Sequence, residues 1–402
     1  MTSSSTAKLP ASKPPTAASS PSIEAVPLLD LHRQYKEIKD EILAAIERVC
    51  ASQQFVLGAE VETLEREIAA YTSVTAAVGC ASGTDALWLA LAAAGVGPGD
   101  FVITTAFSFF ASASAIARAG AKPVLLDVDP ETLNLDATLV RAKLQRGGSY
   151  KVRAILPVHL YGQCADMNAL QTIANEFNLP IIEDAAQAIG AKWDGKPAGS
   201  LGVAAAFSFY PTKNLSAYGD AGLVTTSDPD VAEHMRRLRN HGSPQRYYHD
   251  EFGWNARMDG IQAAVLRVKM RHIDSWNESR RQIASNYDRL LQEAGLMSAK
   301  LGTPIRSLTV SSHAHHVFHQ YVVRADRRDE LRKFLADRKI GTEVYYPVPL
   351  HLQECFIYLG YREGDLPESE LAAREVLALP MFPELTEDEQ RRVVESISDF
   401  YS

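Results

Sequence analysis

Ala206-Phe-Ser208-Phe-Tyr-Pro-Thr-Lys213-Asn-Leu215, taken with the upstream Ile181-Ile-Glu-Asp184-Ala-Ala-Gln187, decides the fold of this chain. Each stretch is a short apolar run that ends by releasing polar groups into a loop. In an open α/β sheet, the carboxyl ends of the strands are where ligands and chemistry gather. The first strand end offers an acid, Asp184, and the second a hydroxyl, Ser208, and an amine, Lys213. A carboxylate, a phosphate anchor and a nucleophilic lysine are what pyridoxal phosphate requires of its protein. The lysine would form the Schiff base, Asp184 would pair with the pyridinium nitrogen, and Ser208 would hydrogen-bond the phosphate. Taken singly, a loop lysine in water is the plainer reading, because most lysines are exposed. The combination reverses it.

Working outward, 402 residues suit two domains better than one small core. Hydrophobic residues make up 46% and charged residues 22%, as in ordinary globular proteins. A net charge of −8 argues against a nucleic-acid partner, which wants a basic face, yet leaves room for a local basic pocket. The cysteines, Cys50, Cys80, Cys164 and Cys355, are scattered without a C-x-x-C pair, which fits reduced thiols in the cytoplasm. Residues 1–22 are rich in Ser, Thr, Ala and Pro and lack a signal-peptide core; they read as a disordered extension. No apolar run approaches the length of about 18 residues needed to span a membrane.

Helical spacing predicts helices near 33–50 and 60–71. Short apolar strands follow at 76–80, 101–104, 123–126, 154–158, 180–183, 204–209 and 222–226, separated by helix-like segments such as 85–94, 109–119 and 165–177. That alternation predicts an α/β fold with a mostly parallel seven-stranded sheet covered by helices on both faces. From about residue 257 two long helices, 258–271 and 274–293, lead to a smaller C-terminal α+β domain. That domain reads as a strand at 318–324, a helix at 329–338, a Pro- and Tyr-rich loop and a terminal helix. The expected units are a 1–22 extension, a large cofactor-binding domain at 23–272 and a small domain at 273–402.

Other strand ends carry further candidates. In Cys80-Ala-Ser82-Gly83-Thr84-Asp85, Gly83 lets backbone approach a ligand and Thr84 is placed to cap the helix, whose exposed N–H groups favour an anion. Phe107 is the first aromatic after its strand and is placed to stack on a planar ring, whereas Phe109 and Phe110 fall in the next helix. Gln187 lies within reach of a ring hydroxyl. His159 is placed to sit over the cofactor or handle protons near neutral pH. His313, His315, His316 and His319 resemble a metal cluster, but alternation along a strand sends them apart and no Cys or carboxylate completes a set, so no metal is expected. No Walker A or G-x-G-x-x-G pattern offers a nucleotide site.

From about Val26 onward the chain resembles the DegT/DnrJ/EryC1/StrS family of nucleotide-sugar aminotransferases, of pyridoxal phosphate fold type I. The resemblance rests on Pro27-Leu-Leu-Asp30, Ser82-Gly-Thr-Asp-Ala-Leu87, His159-Leu-Tyr-Gly162, Glu183-Asp-Ala-Ala-Gln187, Ser208-Phe-Tyr-Pro-Thr-Lys-Asn214, Gly219-Asp-Ala-Gly222, Asn240-His-Gly242, Trp254-Asn255-Ala-Arg-Met258 and Pro349-Leu-His-Leu-Gln353. It implies that Lys213 carries the cofactor aldehyde and Asp184 contacts the ring nitrogen. It further implies Gln187 at the ring oxygen, Phe107 in the stacking position, and Gly83, Thr84 and Ser208 around the phosphate. Asn255 matches a residue that relatives contribute to the phosphate of the neighbouring subunit, which implies a homodimer with shared sites. The Thr-Lys-Asn-Leu and Tyr-Gly-Asp-Ala-Gly wording is similar to members that aminate a 3-keto sugar on a nucleoside diphosphate. Members acting at C4 more often carry His-Pro before the lysine and Glu-Gly-Gly after it. Departures are Trp254, where Tyr is more usual, and Ser216-Ala217, where a Gly often stands.

The expected reaction moves an amino group from an amino acid, L-glutamate, to a keto nucleotide sugar, with Lys213 as acid and base. Candidate sugar contacts on loops are Tyr161, His241, Arg246, Tyr345 and His351. Alternatives are a 4-keto aminotransferase, a sugar dehydratase of the same family, which resembles the motif with His in place of the lysine, a nicotinamide oxidoreductase, and a non-catalytic regulator on the same scaffold.

Overall fold

The computed structural model describes residues 24–148, 151–298 and 302–402, so the extension expected at 1–22 lies outside the described residues. The large sheet is built from β1 (Ala76–Cys80), β2 (Asp100–Thr105), β3 (Lys122–Leu126), β4 (Lys151–Leu156), β5 (Ile182–Asp184), β6 (Ala204–Ser208) and β7 (Gly222–Thr226). Parallel pairing orders β3-β2-β4 and β5-β6, and parallel bridges Ile155–Ile181 and Val158–Asp184 join the two groups. β7 runs antiparallel between β6 and β1. The result is a seven-stranded sheet, order β3-β2-β4-β5-β6-β7-β1, in which only β7 is reversed among the described residues. Runs such as Ala204-Ala-Ala-Phe are buried on both faces, the signature of a sheet covered by helices on each side.

The covering helices are α1 (Leu31–Ser52), α2 (Ala59–Tyr71), α3 (Gly83–Ala93), α4 (Ala111–Arg118), α5 (Ala137–Arg146), α6 (Met167–Phe177), α7 (Pro229–Leu238) and α8 (Gly260–Met270). Their starts follow local chemistry: Asp30, Asp136, Asp166 and Asp228 each cap a helix by accepting backbone N–H bonds. β4 begins three residues earlier than expected, because Lys151 and Arg153 are polar yet lie at the less buried entry of the strand. α4 starts at Ala111, so Phe109 and Phe110 precede it and stay exposed.

A second, antiparallel sheet contains β8 (Ile305–Ser307), β9 (Tyr321–Ala325) and β10 (Val376–Leu379), with β9 central. It carries α10 (Arg328–Asp337), α11 (Pro367–Glu375) and α12 (Glu387–Tyr401). The long helix α9 (Ile273–Glu293) serves both regions. Near its start Tyr71 donates to Asp274 at 2.6 Å and Asn214 to Asn277 at 2.8 Å. Near its end Tyr321 donates to Asp288 at 2.6 Å. The division expected at 272/273 falls where α9 begins.

Candidate active site

Asp184 ends β5, opposite Ala206 of β6. Its side chain is buried, with Ser112 Oγ of α4 donating at 2.7 Å and Ala186 N at 3.2 Å. Burial pushes the carboxyl pKa up, while those two donors and the charge of Lys213 pull it back. Lys213 stands in the loop after β6. That loop is closed at its base by Phe209, which accepts from Ala217 N at 2.8 Å and donates to Ala221 O at 2.9 Å. The Lys213 amine is half-buried and has no hydrogen-bond or ion-pair partner among the described residues. Burial lowers its pKa to about 8, against the opposing pull of Asp184.

Ser208 closes β6 beside the first turn of α3. The cap of that helix is Ser82, not Thr84: Ser82 is extended and its Oγ accepts from Asp85 N at 3.1 Å, which puts Thr84 inside the first turn. The first N–H groups of α3 therefore lack helical partners and carry the positive end of its dipole. Two glycines bring this turn against the strand ends. A Cβ on Gly83 would stand 2.6 Å from Ser208 Cβ, and one on Gly222 would stand 2.2 Å from Ser82 O. Backbone donors at the start of α3 thus lie against the Ser208 hydroxyl, an arrangement suited to a phosphate. With Asp184 and Lys213 nearby, the residues present fit pyridoxal phosphate.

His159 is fully buried. Its Nδ1 accepts from Ala165 N at 3.2 Å, so the ring proton sits on Nε2, which donates to Glu183 Oε2 at 2.9 Å. Glu183 also accepts from the N–H groups of Gly199, Leu201 and Gly202. Both ring nitrogens of His159 are therefore committed, and what it retains for a ligand is its ring. Gln187 accepts from Tyr161 N at 2.6 Å and donates to the Tyr346 hydroxyl at 2.9 Å. Phe107 is buried, with the Tyr346 ring edge-on at 6.2 Å.

Three neighbours of this site escape the sequence. Ser112 sits among small residues that nothing distinguishes. Tyr346 follows Tyr345 in a loop far along the chain. His319 belongs to the histidine-rich stretch, but its Nδ1 donates to Asn214 Oδ1 at 3.1 Å, on the residue after Lys213. Burial and the cations of Lys213 and Arg280 hold its pKa well below the ordinary range.

The remaining candidates are dispersed. Tyr161 is buried, and its hydroxyl donates to Tyr345 O. His241 and Arg246 are exposed, Arg246 lying over the Tyr247 ring at 4.9 Å. Asn255 is exposed beside the end of β1, where Ala81 N bonds Ala256 O. His351 is buried, and its Nε2 pairs with Glu370 at 3.0 Å. His313 bonds Asp194 and stacks on Trp193, whereas His316 stacks on Phe318. No group of three or more metal-ligating side chains converges among the described residues. Nor is any helix among them long and apolar enough to cross a membrane.

The model of the DegT/DnrJ/EryC1/StrS aminotransferase family matches residues 36–398. The chain is 54% identical over 94% of its length to a pleiotropic regulatory protein of Geobacillus stearothermophilus, covering 98% of that protein. It is 44% identical, over 93% of its length and 96% of the relative, to a dTDP-3-amino-3,4,6-trideoxy-alpha-D-glucose transaminase of Streptomyces venezuelae. Among solved structures, S. venezuelae DesV in complex with a ketimine intermediate superposes with a TM-score of 0.88 at 44% identity, covering 94% of this chain and 98% of that one.

Proposed function

This chain belongs to the DegT/DnrJ/EryC1/StrS aminotransferase family, and on that premise we propose that it moves an amino group from L-glutamate to the C3 keto group of a nucleoside-diphosphate sugar. One observation carries the reading: an unpartnered, half-buried Lys213 amine under the electrostatic pull of a buried Asp184, next to an anion cradle.

The cofactor is pyridoxal phosphate, which when bound supplies a carbonyl carbon for the amine and a cationic ring that takes up the electrons of a broken C–H bond. Asp184 would face the ring nitrogen, its charge favoured by Ser112 and Ala186. Ser208, Thr84 and the Gly83 backbone would hold the phosphate, and Phe107 and Gln187 would border the ring. Burial lowers the Lys213 amine pKa to about 8, so that, once free, it would take a proton from the donor's α-carbon more readily as a neutral base than an exposed lysine. We assign His159 a positioning role, since both its nitrogens are engaged. Tyr161, Tyr345, His241, Arg246 and His351 remain the proposed sugar contacts. The same reading makes the enzyme a cytoplasmic homodimer with Asn255 serving the partner's site.

The regulatory name of the 54%-identical relative favours a second reading, a binding protein on this scaffold. Intact Lys213, Asp184 and Ser208 support catalysis instead, and the lysine also counts against a dehydratase. The test is a panel of 3-keto and 4-keto nucleotide sugars, with L-glutamate as donor and mass detection of the amino product. A 3-amino product is expected, and Lys213→Ala should abolish both it and the visible cofactor band. A product at C4 alone would overturn the C3 assignment. Turnover by Lys213→Ala would refute the role of the lysine.

A further inference from the structure

The cofactor reading leaves one charged cluster unused. Arg118, at the end of α4, pairs through Nη1 with Asp85 Oδ1 at 2.5 Å. The other oxygen of Asp85 accepts from Ser82 Oγ at 2.9 Å, and Asp85 N donates back to that hydroxyl at 3.1 Å. The guanidinium lies 4.7 Å from the Trp88 ring and 5.8 Å from the Trp254 ring. Those two indoles meet edge-on at 6.1 Å. Trp254 is fixed in turn by its backbone, which donates to Leu238 O and accepts from His241 N.

The placement of this cluster has a chemical consequence. Asp85 sits in the first turn of α3, where a carboxylate suits the helix dipole but would repel a phosphate dianion bound to the same turn. A solvated ion pair would contribute little here. Arg118 is different, because two aromatic faces restrict where its guanidinium can go. Moreover, α4 reaches both poles of the site: Ser112 at its start bonds Asp184, and Arg118 at its end bonds Asp85.

We propose that Arg118, packed against the Trp88 and Trp254 rings, is a positioning residue for the cofactor phosphate, neutralising Asp85 and fixing the first turn of α3. The proposal rests on the pyridoxal phosphate reading.

The test compares apoprotein binding of pyridoxal phosphate with that of pyridoxal, which lacks the phosphate, by calorimetric titration. Arg118→Met should weaken pyridoxal phosphate by about ten-fold, one decade in Kd, and leave pyridoxal within about two-fold. Adding Asp85→Asn to Arg118→Met, which removes the repelling charge but keeps an acceptor for Ser82, should restore most of the loss. Trp254→Ala, which keeps the ion pair and frees the guanidinium, should fall between wild type and Arg118→Met, and it decides the matter should Arg118→Met not fold. Equal losses for both ligands, no loss at all, or no rescue by Asp85→Asn would each overturn the role of Arg118. A wild-type chain that binds neither ligand would instead remove the cofactor reading on which it stands.

Discussion

Lys213 and Lys269 show why a shifted pKa alone does not mark a catalytic base. Burial lowers both to about 8. Lys269 spends its ammonium on Ser216 Oγ at 2.8 Å and on the Tyr218 ring at 4.7 Å, so its charge holds the loop after Lys213 in shape. Lys213 has no such commitment and is subject to the field of Asp184. Competitive amine labelling of the apoprotein across pH, read by peptide mass, should give Lys213 a midpoint near 8, against roughly 10.4 for surface lysines. The sign of a second change follows from the causes. Asp184 pulls the amine pKa up, so Asp184→Asn should move the midpoint lower still. A midpoint of about 10 in the wild type would mean that burial does not govern this amine. Lys213, Asp184 and Ser208 were legible because each ends or follows an apolar strand. The Ser112 and His319 contacts were not, since each reaches the site from another element.

Helix α3 and the strand ends beneath it show how elements make the cradle. The first turn of α3 packs so tightly on β6 and β7 that side chains at two positions are excluded. At Gly222 the obstruction is Ser82 backbone, which cannot rotate aside. Gly222→Ala should therefore destabilise the fold by about 1–3 kcal/mol through overpacking and weaken cofactor retention together. Thermal melting and dialysis would read these effects. Gly97→Ala, with nothing within 4 Å, should change stability by no more than about 1 kcal/mol. An unperturbed Gly222→Ala would show that the turn has room to move. Sequence periodicity found this strand–turn–helix unit but placed its cap two residues late, because Ser82 and Thr84 are both capable caps and only backbone angles separate them. The ten-residue α7 carries Asp228 as cap, Pro229 in its first turn and Arg236 and Arg237 in its last, start and stop signals that a reading of apolar strands alone passes over. β10 escapes for a different reason. Its apolar run, Val376-Leu-Ala-Leu379, follows α11 with no residue between, so only pairing with β9 separates it from the helix.

The whole molecule follows from alternation of strand and helix, which fixes a covered parallel sheet without fixing which strands adjoin. That β7 inserts reversed between β6 and β1 is a tertiary choice, and it is what aligns Cys80, Gly222 and Ser208 across three strands. The same scale governs the proposed shared site. Tyr247, Tyr248, Phe252 and Trp254 are 79%, 66%, 97% and 52% exposed, an aromatic run leading to exposed Asn255. Exposed apolar surface of this kind suits a protein interface. If Asn255 acts across a two-fold axis, mixing inactive Lys213→Ala subunits with impaired Asn255→Ala subunits yields heterodimers in which one site carries both defects and the other carries neither. Random pairing makes half of the dimers mixed, so activity should return to about a quarter of wild type. If Asn255 serves its own subunit, each site in the mixed dimer keeps one defect and nothing is gained. Activity of the mixture that merely averages its two parents would place Asn255 in its own subunit's site, leaving the aromatic run without a part in sharing sites.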